Sequence, residues 1–505
     1  MTTFTNPIIP GFHPDPSICR VGGEYYLATS SFEYFPGVPL YHSRDLVHWR
    51  PIGHALTRPS QLPLEGIRSS YGIFAPTLRH HAGRFWLITT LVGGRGHFYV
   101  TAEDPAGEWS EPVPVAGPQF DPDLFWDTDG TCWFTRNDWE RGGIVTRRLD
   151  PGRGELLGQP HLIFTGLEDP YVEAPHLYQR EGFYYLLAAE GGTHRGHMIV
   201  IARSRSVTGP YESCPHNPIL THRHRVTHPI QAVGHGDLLE AHDGSWWLVC
   251  LGIRQVMGMM AGYHHLGRET FLAPVTWTAD GWPVINGGEA LEFEMTAPDL
   301  EPHPWPAAPV RDDFDGDRPG PEWNTIRNPV PGAYSRTTRP GSLTLRCEPV
   351  TLDDGGAPAF LGRRQEHFDC RASTRLNFEP EREGEEAGLT VFMNESHHYD
   401  LAVVRHDGRR RLILRRRIGD LRAETVVREL EPGTVRLQVT ADRQSYTFSI
   451  GFGGGSYTTV GTGECRWLSS EVAGGFTGVY FGLYATGGGQ ESSNTAAFDW
   501  FDYET

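Results

Sequence analysis

The chain has 505 residues, 38% hydrophobic and 11% aromatic, with 60 Gly and 39 Pro; this mixture favours several turn-rich, strand-rich domains over a helical bundle or a disordered chain. Its 44 basic residues face 62 acidic ones, a net charge of −18, so neither nucleic acid nor an anionic membrane is expected as a partner. Every basic side chain is arginine and no lysine is present, which excludes Schiff-base and P-loop chemistry.

In chain order, the N-terminal MTTFTNPIIPGF has no basic stretch followed by an apolar one, so no signal peptide is expected. GFHPDPSI follows at residues 11–18 and sets Asp15 between Pro14 and Pro16. Proline on both sides stiffens the backbone there. A weak repeat then organises the chain. Five times a turn glycine is followed, two residues on, by a short aromatic run: Gly23 with Tyr25, Gly83 with Phe85, Gly130 with Cys132-Trp133, Gly182 with Tyr184, and Gly244 with Trp246. Neighbouring copies are about one four-stranded blade apart. Five copies in a common register predict a five-bladed β-propeller over residues 1–296.

The segment before each glycine is the expected inner strand of its blade. These read DPSI, APTL, DPDL, EAPHL and GHGDL, and their upstream ends are Asp15, Ala75, Asp121, Glu173 and His235. Each lies eight or nine positions before its glycine. Radial repetition then brings three carboxylates and one imidazole to one end of one channel. Residues 297–309, APDLEPHPWPAAP, read as a proline-rich linker. Beyond it, alternating segments such as AGLTVFMN, RLILRRR, VRLQVTA and VYFGLYA predict a second all-β unit over 310–505, most simply a β-sandwich. No long amphipathic helix is visible. The seven cysteines are scattered without a C-x-x-C pair, and no apolar run approaches the roughly 20 residues of a membrane span. The chain is expected to be cytoplasmic; the sequence leaves a homo-oligomer open.

Opposed carboxylates in a solvent-reached pocket are the minimum set for glycoside hydrolysis. A protonated one serves the leaving oxygen and an ionised one activates water or attacks the sugar. A third keeps the acid protonated through like charge. Each residue also has a plainer reading. Asp15 can be a turn cap, Glu173 a surface charge, His235 a hydrogen-bonded core histidine, and the strand aromatics core. The shared register weighs for function.

NPIIPGFHPDPSI, YYLATSSFEYFPGVPLYHSRDLVHW, FDPDLFWDTDG, YVEAPHLY, AAEGGT, VGHGDLLE and LGRETFLAPVTW together resemble glycoside hydrolase family 43, in its branch of β-xylosidases and α-L-arabinofuranosidases. VRDDFDG, FLGRRQEHF and EAGLTVFMNESHHYDL resemble the concanavalin-A-like (jelly-roll) sandwich attached to many of those enzymes. The resemblance implies Asp15 as general base, Asp121 as the carboxylate that tunes and orients the acid, and Glu173 as general acid. It implies that Arg268 holds the sugar and Phe32 walls the pocket. His235 matches a channel histidine that in relatives lies near a water-ligated cation, often calcium; no cofactor is otherwise required. Inversion is implied, with roughly 6.5–9.5 Å between base and acid. The family's Trp-Ala-Pro is Phe74-Ala75-Pro76 here, which bears on the surface near the leaving group. Glu168 and Asp169 also precede Glu173 as competing carboxylates. Phe476, in GGFTGVYFG, is the candidate by which the sandwich closes the mouth; it reads equally as a core strand aromatic.

The expected activity is removal of terminal β-D-xylose from xylo-oligosaccharides or arabinoxylan-derived fragments, with α-L-arabinofuranose as a second sugar. The alternatives are an enzyme that is mainly an arabinofuranosidase and a catalytically inactive sugar-binding propeller. A retaining fructosidase needs an Asn-Asp-Pro-Asn setting near the start, where this chain has His-Pro-Asp-Pro.

Overall fold

The computed structural model describes residues 3–167, 171–258 and 261–505; Glu168 and Asp169 lie outside the described residues. Five antiparallel sheets run in chain order, each counted outward from an inner strand: Ser17–Val21, Thr77–His81, Asp123–Trp126, Glu173–Arg180 and Ile230–Glu240. Each inner strand turns back into an aromatic second strand, with pairs such as Arg20 opposite Tyr25 and Leu239 opposite Trp247. In the second and fourth blades both residues of that turn are left-handed, Ala82-Gly83 and Glu181-Gly182. This is the hairpin geometry that matches strand twist and favours glycine at its second position. The aromatics Tyr25, Phe85, Trp133, Tyr185 and Trp247 are buried, so the repeat is a core repeat.

Inner strands of neighbouring blades share no backbone ladder, and side chains stitch the seams instead, two residues past the tip in four of the blades and from Tyr178 in the fourth blade. Leu78 N–H donates to Ser17 Oγ, and Thr77 Oγ1 donates to Pro122 O. Leu177 N–H donates to Asp123 Oδ2, and Leu238 N–H to the Tyr178 hydroxyl. Ile18 N–H donates to Asp237 Oδ2, which closes the circle. Arg79 sits on the axis inside this ring. It donates to Asp237 at 2.8 Å, to Asp123 at 2.9 Å and to His176 Nδ1 at 2.9 Å. Both carboxylates are fully buried, where an unpaired charge is costly.

The N-terminal segment seals the ring against the fifth blade. Asn6 Nδ2 donates to Leu272 O while Leu272 N–H donates to Asn6 Oδ1, so one side chain imitates a strand pair. Thr3–Thr5 pairs with Glu294–Thr296. The proline-rich stretch after it is pinned rather than free. His303 N–H donates to Asp45 Oδ2, Trp305 Nε1 donates to His48 O, and the Arg50 guanidinium covers the Trp305 ring at 3.9 Å.

The second unit is a sandwich of two antiparallel sheets. One is built on Thr495–Glu504 and Cys370–Asn377, the other on Tyr480–Thr486, Glu386–Asn394 and His397–His406. Its inner faces bury Leu, Val and Phe side chains such as Leu389, Leu401, Leu437 and Phe498, as alternating strands require. Helix is confined to short turns, the longest α segment among the described residues being Ser470–Ala473. The two units share a core of Phe12, Phe32, Tyr34, Ile326, Phe360 and Tyr480. Tyr34 and Tyr480 stack at 4.1 Å, and Thr325–Ile326 of the sandwich pairs with Tyr34–Phe35 of the propeller.

Candidate active site

The channel end where the inner strands begin holds a small cavity, about 80 Å³. All eight residues singled out from the sequence line it: Asp15, Asp121, Glu173, His235, Arg268, Phe32, Phe74 and Phe476. The backbone explains the convergence. Asp15 (φ 55°), Asp121 (φ 54°), Ala174 (φ 52°) and His235 (φ 46°) are all left-handed, three of them directly before a proline. Side-chain-bearing residues avoid this region at a cost, and such strain gathers at functional sites.

This register differs from the sequence expectation at one blade. Ala174, not Glu173, takes the left-handed position; Glu173 stands one residue earlier, in line with Phe74 and Phe120. The proline fixes the alignment: Ala174-Pro175 corresponds to Asp15-Pro16, Ala75-Pro76 and Asp121-Pro122. The pocket is therefore walled by two successive positions of the repeat, with Phe74, Phe120 and Glu173 from one and Asp15, Asp121 and His235 from the next.

Asp15 is the best-held carboxylate. Ser30 Oγ donates to its Oδ2 at 2.6 Å, Arg268 Nη1 to its Oδ1 at 2.9 Å, and His235 Nδ1 stands 3.6 Å from Oδ1. Burial pushes its carboxyl up, but Arg268, His235, Ser30 and His197 together bring it below the ordinary value. Burial is also the first cause at Glu173 and is reinforced there by the Asp15 charge; the carboxyl rises to about 8. Asp121 is raised as well, by burial first and then by Glu173 and Asp15, although the Ala174 N–H donates to it. Glu173 thus holds its proton to higher pH than Asp15, the separation of carboxyl values that acid–base catalysis uses.

Arg268 spans the pocket floor. It also donates from Nη1 to Thr193 Oγ1 at 3.1 Å and from Nη2 to Phe476 O at 3.4 Å. Its Nε is buried without a partner, a donor left for a bound molecule. Phe476 stacks on Phe32, centroids 5.9 Å apart, and meets Phe74 edge-on at 6.0 Å. Thus the sandwich supplies one wall.

Thr193, His197 and Phe120 complete the pocket and Ser30 supports Asp15 from behind it; none of the four was singled out from the sequence. The position of Phe120, one residue before Asp121 as Phe74 precedes Ala75, was a usable signal. Ser30 and Thr193 follow the second strands of their blades, outside the inner-strand repeat. His197 carries no local signal; Gly234 accommodates it, since a Cβ there would lie 2.2 Å from its ring.

Among the described residues His235 belongs to no cluster of three close metal-ligating groups. Burial lowers its imidazole to about 4. The neighbouring axial carboxylates Asp123 and Asp237 are engaged by Arg79. Among the described residues, the only cluster of three close metal-ligating groups is Glu383, His406 and Asp407, on the sandwich.

Residues 4–283 match the model of glycosyl hydrolases family 43, and residues 311–504 match the beta xylosidase C-terminal concanavalin A-like domain. The chain is 47% identical over 506 residues to the non-reducing end alpha-L-arabinofuranosidase BoGH43B of Bacteroides ovatus, covering 99% of this chain and 94% of that one. It is 39% identical to a xylosidase/arabinosidase of Butyrivibrio fibrisolvens, with 100% of both covered. Among solved structures it resembles Bacteroides ovatus Xyloglucan PUL GH43B, TM-score 0.96 at 46% identity with 100% of both chains covered. It also resembles the xylan beta-1,4-xylosidase from Bacillus halodurans C-125, TM-score 0.94 at 36% identity, with 99% of this chain and 100% of that one covered. The chain belongs to glycoside hydrolase family 43 and is a glycosidase, a five-bladed propeller joined to a concanavalin-A-like sandwich.

Proposed function

We propose that this enzyme removes single pentoses from the non-reducing ends of short oligosaccharides with inversion, taking β-D-xylose first and α-L-arabinofuranose as a second sugar. The observation that carries the reading is the convergence of buried Asp15 and Glu173 on one small cavity, where Asp15 is held below and Glu173 pushed above the ordinary range. Asp15, ionised, takes a proton from water as that water attacks the anomeric carbon. Glu173 gives its proton to the departing glycosidic oxygen, and solvent exchange restores both groups. Asp121 holds Glu173 in place through the Ala174 amide and opposes its ionisation. Arg268 offers its unpartnered Nε to a ring hydroxyl, while Phe32, Phe74 and Phe476 cover the apolar face of the sugar. A cavity this small, closed by the sandwich, suits an exo-acting enzyme, and short cytoplasmic oligosaccharides fit it as substrate.

A second reading, with arabinofuranose as the principal sugar, is favoured by the 47% identity to a protein named as an arabinofuranosidase. The ratio of kcat/KM on 4-nitrophenyl β-D-xyloside and 4-nitrophenyl α-L-arabinofuranoside decides. A ratio above one supports the xylosidase reading, and a large excess on the arabinoside overturns it. No cleavage of either would sink both.

A further inference from the structure

Phe476 is anchored from outside the pocket by a second set of residues. Its backbone N–H donates to Ser70 Oγ at 2.9 Å, a contact from the propeller to the sandwich loop. Ser70 is itself left-handed, φ 61°, and its own N–H donates to Glu33 Oε2 at 3.0 Å. Glu33 is 1% exposed and follows Phe32 directly, so the carboxylate that fixes Ser70 belongs to the same turn as the aromatic on which Phe476 stacks. Two glycines make the approach possible. A Cβ at Gly475 would lie 2.3 Å from Ser70 Oγ, and one at Gly72 would lie 2.2 Å from Phe32 O. On the far side, Val479 N–H donates to His265 O, which ties the other end of the loop to the fifth blade. The Phe476 ring is 38% exposed, so little packing besides these contacts holds it over the cavity.

We propose that Glu33 and Ser70 are positioning residues that set how tightly the sandwich closes the sugar pocket, by fixing the Phe476 backbone over Phe32 and Arg268. Glu33 fixes the Ser70 amide, the Ser70 hydroxyl fixes the Phe476 amide, and the Phe476 carbonyl accepts from Arg268 Nη2. The chain of contacts ends on the guanidinium that holds Asp15. The inference rests on the reading of this cavity as the sugar site, and its test separates the two.

One neutral hydrogen bond contributes about a threefold to tenfold change in an equilibrium constant. Ser70→Ala is therefore expected to raise KM on the better nitrophenyl pentoside by about that factor, with kcat within about twofold. Glu33→Ala does the same, and Glu33→Gln, which keeps an acceptor oxygen, restores most of the loss. In a Phe476→Ala background most of the Ser70→Ala effect disappears, because the ring it positions is gone and only the carbonyl contact to Arg268 remains. A second readout is independent of activity. All seven native cysteines are buried, so the thiol of Phe476→Cys is the reactive one, and adding Ser70→Ala speeds its maleimide labelling severalfold. Unchanged KM and unchanged labelling in the Ser70→Ala variants, or an effect of Ser70→Ala that persists in full without the Phe476 ring, overturns the proposal. If the wild-type enzyme cleaves neither pentoside, the sugar-site reading fails, and the labelling rate still decides the clamp.

Discussion

Asp15 and Glu173 differ by the company each keeps in one small cavity. Burial raises both; only Asp15 has a guanidinium and a hydroxyl in direct contact to reverse it. The sign of each shift sets the pH profile. The base must be ionised, so kcat/KM declines as pH falls through the lowered Asp15 value, below the usual carboxylate range. The acid must be protonated, so activity declines as pH rises through about 8. Asp121→Asn removes the second raised carboxyl, the one that competes with Glu173 for ionisation in this cavity, and is expected to move the alkaline limb to lower pH while the acid limb holds. An unmoved alkaline limb would remove Asp121 from its tuning role. These residues were legible in the sequence because each lies eight or nine positions before a turn glycine. The one-residue offset of Glu173 was not, since it depends on which residue of Glu173-Ala174 adopts the left-handed conformation, and the following proline decides that.

At the scale of the strand, the tips stay in place because the seams between inner strands are closed by side chains. Ser17, Thr77, Asp123, Tyr178 and Asp237 each bond to the backbone of a neighbouring inner strand, and Arg79 neutralises two of them from the axis. The repeat showed five hairpins, but not this ring. Arg79 has no special motif, and its role follows only from closure of the circle. Replacing it leaves Asp123 and Asp237 buried without their cation. Arg79→Met is expected to destabilise the propeller by about 3–5 kcal/mol, read as a lowered urea midpoint of its unfolding transition. A midpoint within error of wild type would mean that the seams hold without the central charge.

In the whole molecule, neither unit encloses the site alone. The propeller brings the carboxyls and Arg268, and the sandwich brings Phe476 across an interface built on Phe12, Tyr34 and Tyr480. The prolines of residues 297–309 were readable in the sequence as a linker signal. That this stretch is stapled to the first blade through Trp305 was not, because a cation–π contact between distant residues leaves no local pattern. The most direct test compares Asp15→Ala and Glu173→Ala on two substrates, a 2,4-dinitrophenyl pentoside and the unactivated disaccharide. Glu173→Ala should lose about a hundredfold to ten-thousandfold on the disaccharide and recover most of it on the dinitrophenyl substrate, whose leaving group needs no proton. Asp15→Ala should stay low on both. Equal losses for Glu173→Ala on both substrates, or near-normal turnover by Asp15→Ala, would contradict the assignment of acid and base.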